Sequence, residues 1–500
     1  MSAQPKPINW HARAAGLAIR GQAFIDGRYV DAASGATFDS INPATGKVLA
    51  RVSACDQPDV DRAVASARAA FSKGGWSRLA PRRRKEALLK FAIEIREHAE
   101  ELALLESLDM GKPVGDALGV DMAASANCIQ WFAEAIDKMY DEVAPTGEDA
   151  LALVTRESVG VVAAIVPWNF PLLMATWKLG PALASGNSVV LKPSEKSPLT
   201  AIRVAELAVA AGIPEGVLNI VPGFGGTAGK ALALHMDVDC VAFTGSTRTG
   251  KMMLEYSGQS NMKRVWLECG GKSPNILLAD CPDVERAATA AAYAIFFNQG
   301  EMCSAGSRLV VHESLKERVL EKIAAIGREL APGDPLDPNT KLGAIVDRTQ
   351  LDTVLGYIKK GRSEGARVAL GGEQVRKESG GYFVEPTIFD GVKQFMTIAR
   401  EEIFGPVLAT ITFRDVAEAV AIANDVSYGL AAAVWSRDIT TAHRVARALR
   451  AGTVYVNCYD ADDITVPFGG FKQSGNGRDK SRHAFDKYTE LKTTWVDLST

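Results

Sequence analysis

Short β-rich runs alternate with helical segments through the middle of the chain, and this alternation limits the fold more than any other feature of the sequence. The β-rich runs cover residues 161–166, 188–191, 218–221, 240–243 and 263–267. Apolar residues at helical spacing fill 198–211 and 226–234 between them. Strands that alternate with helices form right-handed βαβ units, so the pattern predicts a doubly wound parallel sheet that binds ligands at the carboxyl ends of its strands.

A second alternation follows between residues 273 and 471. Its strand-like and helix-like runs are 276–278, 283–297, 307–312, 384–389, 407–413, 417–424, 431–435, 439–449 and 453–457. A chain of 500 residues also has the length of about three domains rather than one. We therefore predict an α/β protein with two doubly wound lobes. The C-terminal run 487–496 alternates apolar and polar residues, so we expect a strand that is suited to pairing with a sheet edge in another subunit.

The N-terminal part of the chain follows a different pattern. Turn-forming dipeptides separate short alternating runs between residues 20 and 52, which predicts hairpin strands in an edge layer. Apolar residues then recur at helical spacing over 56–71, 80–109 and 120–140. We expect helices over these three ranges, the first two of them amphipathic.

Composition and charge exclude several classes of protein. Hydrophobic residues make up 47% of the chain and charged residues 23%, as in globular proteins and unlike disordered chains. The formal net charge of −3 gives no reason to expect a nucleic acid or an anionic membrane as a partner. The most apolar stretch, 159–184, is interrupted by prolines and by Lys178, so we expect no membrane span.

Cysteines and histidines are scattered. The seven cysteines lack CxxC spacing, which argues against a disulfide framework and against a structural zinc site. The six histidines lie far apart without an HExxH motif, so we expect no metal. The first residues hold no apolar core of the kind that a signal peptide needs. We therefore expect a cytoplasmic protein with reduced thiols.

Cys303 is the strongest candidate for a reactive side chain. It lies in the run FFNQGEMCSAGSR, just after the predicted helix 283–297 and among small residues. Small neighbours leave room for a substrate carbon and a backbone N–H to approach the sulfur, as a nucleophilic thiol requires. The position alone favours a buried structural cysteine, because free cysteine is among the most buried residue types, and the motifs below shift the balance.

Two polar residues at the ends of predicted strands are further candidates. Glu268 follows the run 263–267 directly before a double glycine, where a carboxylate can act as a general base or can cap a turn. Asn169 follows the run 161–166 within VPWNFP, between two prolines and two aromatic residues. Its amide can donate a hydrogen bond to a developing oxyanion or can simply form a turn.

Taken together, these motifs resemble those of the NAD(P)-dependent aldehyde dehydrogenase superfamily. The similar segments are PWNFP, KPSE, FTGSTRTG, LECGGKSP, FNQGEMCSAGSR, EEIFGPV and PFGGFKQSG, which keep the family's order over about residues 20–495. A set of this size in this order does not arise by chance. Met302 is one departure, because some members carry another cysteine there; it changes the pocket wall and leaves the mechanism intact.

The resemblance implies a mechanism and a domain division. The Cys303 thiolate would attack an aldehyde carbon, Asn169 and the Cys303 backbone N–H would hold the oxyanion, and Glu268 would activate the water that hydrolyses the thioester. The product would be a carboxylic acid. The implied parts of a homotetramer or homodimer are an NAD-binding domain over 1–140 and 159–270, a catalytic domain over 271–483, and an oligomerisation element over 141–158 and 484–500.

The residues of the cofactor site follow from the resemblance and partly from their own chemistry. Glu195, after the run 188–191, can accept hydrogen bonds from ribose hydroxyls and would repel a 2′-phosphate, which favours NAD over NADP, although Lys192 offers a phosphate a cation. Gly245 and Ser246 lie in a strand-to-helix turn that suits a pyrophosphate. The resemblance adds Trp168, Glu402 and Phe404 to the cofactor site.

The resemblance also places Phe170, Trp177, Phe297 and the loop after Asn457 around an aldehyde tunnel. That loop carries Asp460, Asp462 and Asp463, which would attract the cationic end of an amino- or guanidino-aldehyde, or would form an ordinary solvated acidic loop.

The segment that follows this loop bears on the substrate. It is similar to the branch of the family that oxidises γ-aminobutyraldehyde, γ-guanidinobutyraldehyde and γ-glutamylaminobutyraldehyde in polyamine and arginine breakdown. Other branches, which oxidise general aliphatic aldehydes, betaine aldehyde or semialdehydes, stay open as alternatives. A different class, a structural or binding protein that keeps the scaffold without turnover, is opposed by the presence of Cys303, Glu268 and Asn169.

Overall fold

Two seven-stranded sheets and one three-stranded sheet organise the chain in the computed structural model, which describes residues 8–499. Residues 1–7 and 500, which the predicted domain bounds include, lie outside the described residues. Both large sheets are mainly parallel, with helices in the connections between strands. The predicted fold class, two doubly wound α/β lobes with a small β element, is confirmed.

The first large sheet is built mainly from the middle of the chain. In spatial order its strands are Arg264–Glu268, Cys240–Thr244, Val161–Ile165, Ser188–Lys192, Leu218–Ile220, Ala23–Ile25 and Arg28–Val30. The first five are parallel, and the N-terminal hairpin adds an antiparallel edge, as predicted. The chain moves outward from Val161–Ile165 in both directions. The carboxyl ends of this strand and of Cys240–Thr244 therefore form the switch point at which such sheets bind ligands.

The second large sheet contains strands from the C-terminal half. In spatial order these are Arg367–Leu370, Thr387–Asp390, Val407–Phe413, Arg308–His312, Pro274–Leu277, Ala431–Trp435 and Thr453–Val456. All neighbours in this sheet are parallel except the edge strand Arg367–Leu370. The interior strand Pro274–Leu277 is buried along its whole length, as expected of a parallel strand that is covered on both faces.

The third sheet joins two distant parts of the chain. Strand Thr489–Asp497 pairs antiparallel with Ala150–Ser158, and Glu142–Ala144 lies on the far side of the latter. The predicted C-terminal strand therefore pairs within its own chain. It is an edge strand, and its side chains Leu491 and Trp495 are exposed.

Three two-stranded ribbons and the helices complete the described structure. The ribbons pair Thr37–Asn42 with Lys47–Ser53, Gln374–Val375 with Phe383–Val384, and Tyr428–Gly429 with Phe471–Lys472. The α-helices are Trp10–Ala15, Gln57–Lys73, Pro81–Glu97, Ala99–Met110, Val114–Asp116, Ala123–Ala135, Pro171–Ala184, Leu199–Ala210, Lys230–Leu234, Thr247–Gly258, Val284–Phe296, Lys316–Glu329, Arg348–Ser363, Thr397–Arg400, Val416–Asn424 and Ile439–Ala448.

The helical prediction over 80–109 is wrong in one respect. The structure divides this range at His98 into Pro81–Glu97, which is amphipathic, and Ala99–Met110, which is almost wholly buried. The second helix packs against both the strand Thr37–Asn42 and the helix Leu199–Ala210. Contacts on two sides leave it no solvent-facing stripe, so its sequence lacks the polar face of an amphipathic helix.

Three further observations concern chemistry and partners. None of the helices within residues 8–499 combines the length and the apolar character that crossing a membrane requires. In the same part of the chain, His, Cys, Asp and Glu side chains form no group of three that could hold a metal ion. All seven cysteines are free thiols.

Candidate active site

A cavity of about 660 Å³ lies between the two large lobes. Its wall includes the carboxyl ends of three parallel strands of the first sheet, Val161–Ile165, Cys240–Thr244 and Arg264–Glu268. Three side chains that the sequence singles out for chemistry line it together: Asn169, Glu268 and Cys303.

A strained turn presents Cys303 to this cavity. The helix Val284–Phe296 ends just before it, and Asn298, Gln299 and Gly300 then adopt φ angles of 48°, 57° and 71°. Glycine is required at the third position, because a Cβ there would collide with the carbonyl oxygen of Gly405. Three successive left-handed residues reverse the chain at the end of the helix and bring the cysteine to the cavity wall.

Asn169 is fixed to the same turn from two sides. Its Nδ2 donates to the carbonyl oxygen of Glu301 at 2.8 Å, and Nδ2 of Asn298 donates to the Asn169 carbonyl oxygen at 3.0 Å. The first bond uses one hydrogen of the Asn169 amide, which leaves the second for an oxyanion. The arrangement positions an amide donor close to the cysteine, as the sequence-based hypothesis requires.

The Cys303 thiol is partly exposed, whereas five of the other six cysteines are buried. Burial raises its pKa well above the ordinary value, and the carboxylates of Glu402, Glu268 and Asp460 raise it further, against a hydrogen bond from the backbone of Ser304. These shifts favour the protonated form of the thiol. A base must take its proton before the sulfur can attack.

Glu268 lines the same cavity and is the predicted general base. It ends the strand Arg264–Glu268, its side chain is buried, and neither carboxylate oxygen has a hydrogen-bond partner among residues 8–499. Burial raises the pKa of Glu268 well above its ordinary value, and the nearby Asp479 raises it further. A carboxylate with free lone pairs and a raised pKa accepts a proton readily from a thiol or from water.

Three buried charged residues lie near Glu268, and we call them the buried ion cluster: Lys178, Asp479 and Lys487. Both ammonium groups contact the Asp479 carboxylate, and all three side chains are at most 3% exposed. Burial alone would raise the pKa of Asp479, but the two ammonium groups hold it below the ordinary value. Sequence reasoning missed this cluster, because about 300 residues separate Lys178 from its partners.

Five predicted cofactor residues also line the cavity: Trp168, Gly245, Ser246, Glu402 and Phe404. Gly245 and Ser246 connect the strand Cys240–Thr244 to the 12-residue helix Thr247–Gly258, and Ser246 Oγ accepts from the Thr249 N–H at 3.2 Å. A Cβ at Gly245 would lie 2.6 Å from the tip of the Phe243 ring, so a larger residue in this turn would require that ring to move.

At the opposite end of the predicted cofactor site, Glu402 Oε1 accepts from the Gly271 N–H at 2.9 Å. Burial raises the pKa of Glu402 to about 7. The rings of Trp168 and Phe404 meet edge to face at 5.1 Å beside it. The other two predicted cofactor residues, Lys192 and Glu195, are not in the cavity wall and contact each other, with Nζ to Oε2 at 3.2 Å.

Aromatic side chains form the predicted aldehyde tunnel. Phe170 and Phe297 stack with ring centroids 6.5 Å apart, and Trp177 packs on Phe468 at 5.3 Å. Tyr459, in the loop after Asn457 that was predicted to line the tunnel, is also in the wall. The sequence-based prediction missed several other wall residues: Val120, Leu173, Met174, Tyr293, Tyr455 and Phe468. Phe468 stands within the PFGGF motif and could have been found from it, whereas the other five carry no sequence signal beyond being apolar or aromatic.

Only two of the three aspartates that were predicted to lie at the tunnel do so. Asp460 and Asp462 line the cavity, but Asp463 does not. The Asp463 carboxylate instead accepts from the Thr465 N–H at 2.8 Å and faces solvent. A side chain that caps its own turn points away from the tunnel, so the expected cluster of three acids reduces to two.

Comparisons with known proteins give a consistent result. Residues 29–494 match the model of the aldehyde dehydrogenase family. The chain is 53% identical over 489 residues, 98% of each protein, to the NADP/NAD-dependent aldehyde dehydrogenase PuuC of Escherichia coli K12.

Two crystal structures superimpose on almost the whole chain. One is a mutant of the indole-3-acetaldehyde dehydrogenase AldA of P. syringae in complex with NAD+ and IAA, with 63% identity and a TM-score of 0.97. The other is the γ-glutamyl-γ-aminobutyraldehyde dehydrogenase of Burkholderia cenocepacia, with 62% identity and a TM-score of 0.96. Each superposition covers 98% of this chain and 99% of the other.

Proposed function

This chain belongs to the aldehyde dehydrogenase family, and on that premise we propose that it oxidises aldehydes with an amino, guanidino or γ-glutamylamino group to carboxylic acids, with NAD as the hydride acceptor. One observation carries the proposal. Cys303, Glu268 and Asn169 meet on a single cavity, and the carboxylates of Asp460 and Asp462 line the same cavity.

In the proposed reaction, Glu268 takes the proton of the Cys303 thiol, and the sulfur attacks the aldehyde carbon. The Asn169 amide and the Cys303 backbone N–H donate to the oxyanion of the resulting hemithioacetal. Bound NAD supplies the acceptor for the hydride that this carbon loses. Glu268 releases this first proton to solvent and then removes a proton from the water that hydrolyses the thioester on Cys303. The Cys303 thiolate is the leaving group, and the carboxylic acid departs.

The residues present suit NAD. Gly245 allows close backbone approach at the start of the helix Thr247–Gly258, and the buried hydroxyl of Thr244 has no hydrogen-bond partner among the described residues. Glu402 would hold the nicotinamide ribose between Trp168 and Phe404. Lys192 and Glu195 would hold the adenosine ribose. The Glu195 carboxylate would repel a 2′-phosphate and so favours NAD, while Lys192 leaves room for use of NADP.

Names of similar proteins support the substrate class. They include a γ-glutamyl-γ-aminobutyraldehyde dehydrogenase and an aminoacetaldehyde dehydrogenase of Pseudomonas aeruginosa. We propose substrates of this kind, the aldehydes of polyamine and arginine breakdown. Asp460 and Asp462 would attract the cationic group, since a charge at an apolar cavity concentrates the opposite charge there.

A second candidate is a neutral aromatic aldehyde. Phe170, Trp177, Phe297 and Phe468 make the tunnel wall strongly aromatic, which suits a flat apolar tail. A similar protein carries the name indole-3-acetaldehyde dehydrogenase.

A panel of aldehydes separates these functions. The absorbance of NADH would be followed with 4-aminobutanal, 4-guanidinobutanal, hexanal and indole-3-acetaldehyde. We expect kcat/KM for the cationic aldehydes to exceed that for hexanal at least about tenfold, the factor that about 1.4 kcal/mol gives. Asp460→Asn should reduce this preference, and Asp463→Asn, the matched control outside the cavity, should not.

Other outcomes of the panel would change the assignment. A highest kcat/KM for indole-3-acetaldehyde would favour the second candidate. The absence of NADH with every aldehyde would favour a scaffold without turnover.

Domain bounds, assembly and compartment also belong to this proposal. The division into 1–140 with 159–270, 271–483, and 141–158 with 484–500 is supported because each part contains one of the three main sheets. A homotetramer or homodimer is supported by the exposed Leu491 and Trp495 on the edge strand Thr489–Asp497. The cytoplasm is supported by seven free cysteines.

A further inference from the structure

Lys480 is a buried cation directly behind the aldehyde tunnel. Its side chain is 2% exposed, and its ammonium group contacts the carboxylate of Asp462, which is 60% exposed. The same ammonium lies 5.6 Å from the ring centroid of Trp177 and 5.7 Å from that of Phe468. Both rings line the cavity, as does Asp462. The positive charge of Lys480 therefore lies directly behind two aromatic rings and one carboxylate of the tunnel wall.

Asp460 has a different environment from Asp462. It forms no salt bridge with any basic side chain of the described chain, and its Oδ1 is 3.4 Å from the Ser304 hydroxyl, one residue from Cys303. Asp460 is exposed and lines the cavity. Loss of hydration at the cavity wall and the neighbouring Asp462 raise the pKa of Asp460 to about 6, and the Ser304 hydroxyl and the Lys480 ammonium act in the opposite direction.

The backbone around Lys480 is held firmly. Asp479 and Phe468 exchange two backbone hydrogen bonds of 2.7 and 2.8 Å, and the Ser481 N–H donates to the Ile464 carbonyl oxygen at 2.8 Å. Lys480 itself has a φ of +59°, a conformation that is uncommon for lysine. The chain therefore accepts local strain where it presents this ammonium group to the tunnel wall.

We propose that Lys480 sets the charge selectivity of the tunnel: it offsets the charge of Asp462, so that of the two carboxylates proposed above to attract the cation, Asp460 is the one left without a paired ammonium group within the described chain. This inference rests on the proposed function. One free carboxylate beside Cys303 attracts an amino group. An ion pair such as Lys480–Asp462 is less strongly hydrated than an unpaired carboxylate, so covering it costs less desolvation free energy. Neutral apolar tails can therefore still pack on Trp177 and Phe468.

The test compares kcat/KM for 4-aminobutanal with kcat/KM for hexanal in a set of variants. Lys480→Met should raise this ratio about fivefold at low salt. This is the effect, after partial screening, of one unit charge at roughly 10 Å with an effective dielectric constant of about 20. Added salt should reduce the change in the ratio. The double variant Lys480→Met/Asp462→Asn should return the ratio to near the wild-type value. Lys480→Arg should keep it.

Two controls make the result specific. Lys85→Met removes an ammonium that pairs with Asp137 at 2.8 Å far from the cavity wall, and it should leave the ratio unchanged. If Lys480→Met does not fold, Asp462→Asn alone serves, because the uncompensated Lys480 should then lower the ratio. A ratio unchanged in the folded Lys480→Met variant, or a raised ratio that persists in the double variant, would overturn the inference.

A separate readout distinguishes this inference from the proposed substrate class. If the wild-type enzyme oxidises hexanal and not 4-aminobutanal, the substrate class is wrong. The role of Lys480 is then read from inhibition of hexanal oxidation by n-butylammonium, with n-butanol as the neutral control. Lys480→Met should tighten inhibition by the cation alone, and equal inhibition constants in variant and wild type would refute the role of Lys480.

Discussion

Asp479→Asn tests whether the buried ion cluster supports both the fold and the active site. The amide keeps the shape of the carboxylate and removes its charge. Lys178 and Lys487, at most 3% exposed, then lose the carboxylate that each of them contacts. Removing one partner of a buried ion pair costs about 3–5 kcal/mol. Because two ammonium groups are left facing each other, we expect the upper part of that range.

The expected loss is large enough to measure by thermal unfolding. At roughly 2–4 °C per kcal/mol, the midpoint followed by circular dichroism at pH 7.5 should fall by roughly 10 °C. The ammonium groups keep the pKa of Asp479 below its ordinary value in the folded state, so its contribution to stability is present above the unfolded pKa of about 3.9. The difference in unfolding midpoint between wild type and variant should therefore be largest at neutral pH. It should disappear as the pH falls through the pKa of Asp479 in the folded state.

The same substitution should alter catalysis. The Asp479 charge raises the pKa of Glu268, so its removal should move the acid limb of the pH profile of kcat/KM to lower pH. Asp137→Asn is the matched control, since Asp137 also contacts two lysines, Lys85 and Lys138 at 2.8 Å, but on the surface. Its midpoint should change by less than about 2 °C. A similarly small change in Asp479→Asn, with an unmoved acid limb, would refute the reasoning.

Three further predictions concern the cysteine turn and the base. Cys303→Ala should abolish aldehyde oxidation while NAD still binds in a fluorescence titration; retained oxidation would remove Cys303 from its role. Glu268→Gln should slow thioester hydrolysis about 100-fold or more and leave an acyl adduct visible by mass spectrometry, and an unchanged turnover would mean another base. Gly300→Ala should lower kcat at least about tenfold by displacing the turn. Gly391→Ala is the control, because Gly391 is also left-handed at φ +70° but has open space around it, and kcat should not fall. Equal losses of kcat in both variants would contradict the role given to the turn.

The strands, the helices and the parallel sheets could be predicted from the sequence, because they depend on the pattern of apolar and polar residues along short segments. A run such as 161–166 is apolar throughout, and its strand is buried at every residue in the parallel sheet. Asn169, Glu268 and Cys303 could be proposed for the same reason, since each follows an element whose end is visible in the sequence. Their roles stay predictions that the variants above test.

Contacts between distant segments were out of reach. Lys178 and Asp479 are 301 positions apart, and an apolar helix gives no sign that its lysine meets a carboxylate. The acidic loop shows the same limit: Asp462 and Asp463 are adjacent, yet one lines the cavity beside Lys480 and the other caps a turn. Local pattern shows that charges are present, and only the packing of distant segments decides which of them neutralise each other.

The short segment 478–481 limits which sequence changes this enzyme can tolerate. Asp479 serves the cluster near the base, and its neighbour Lys480 serves the tunnel wall, on one piece of strained backbone. An insertion or deletion there would disturb catalysis and substrate choice together. A single side-chain replacement at Asp462, in the opposite loop, leaves the segment 478–481 intact and should therefore change the choice of aldehyde with less effect on catalysis.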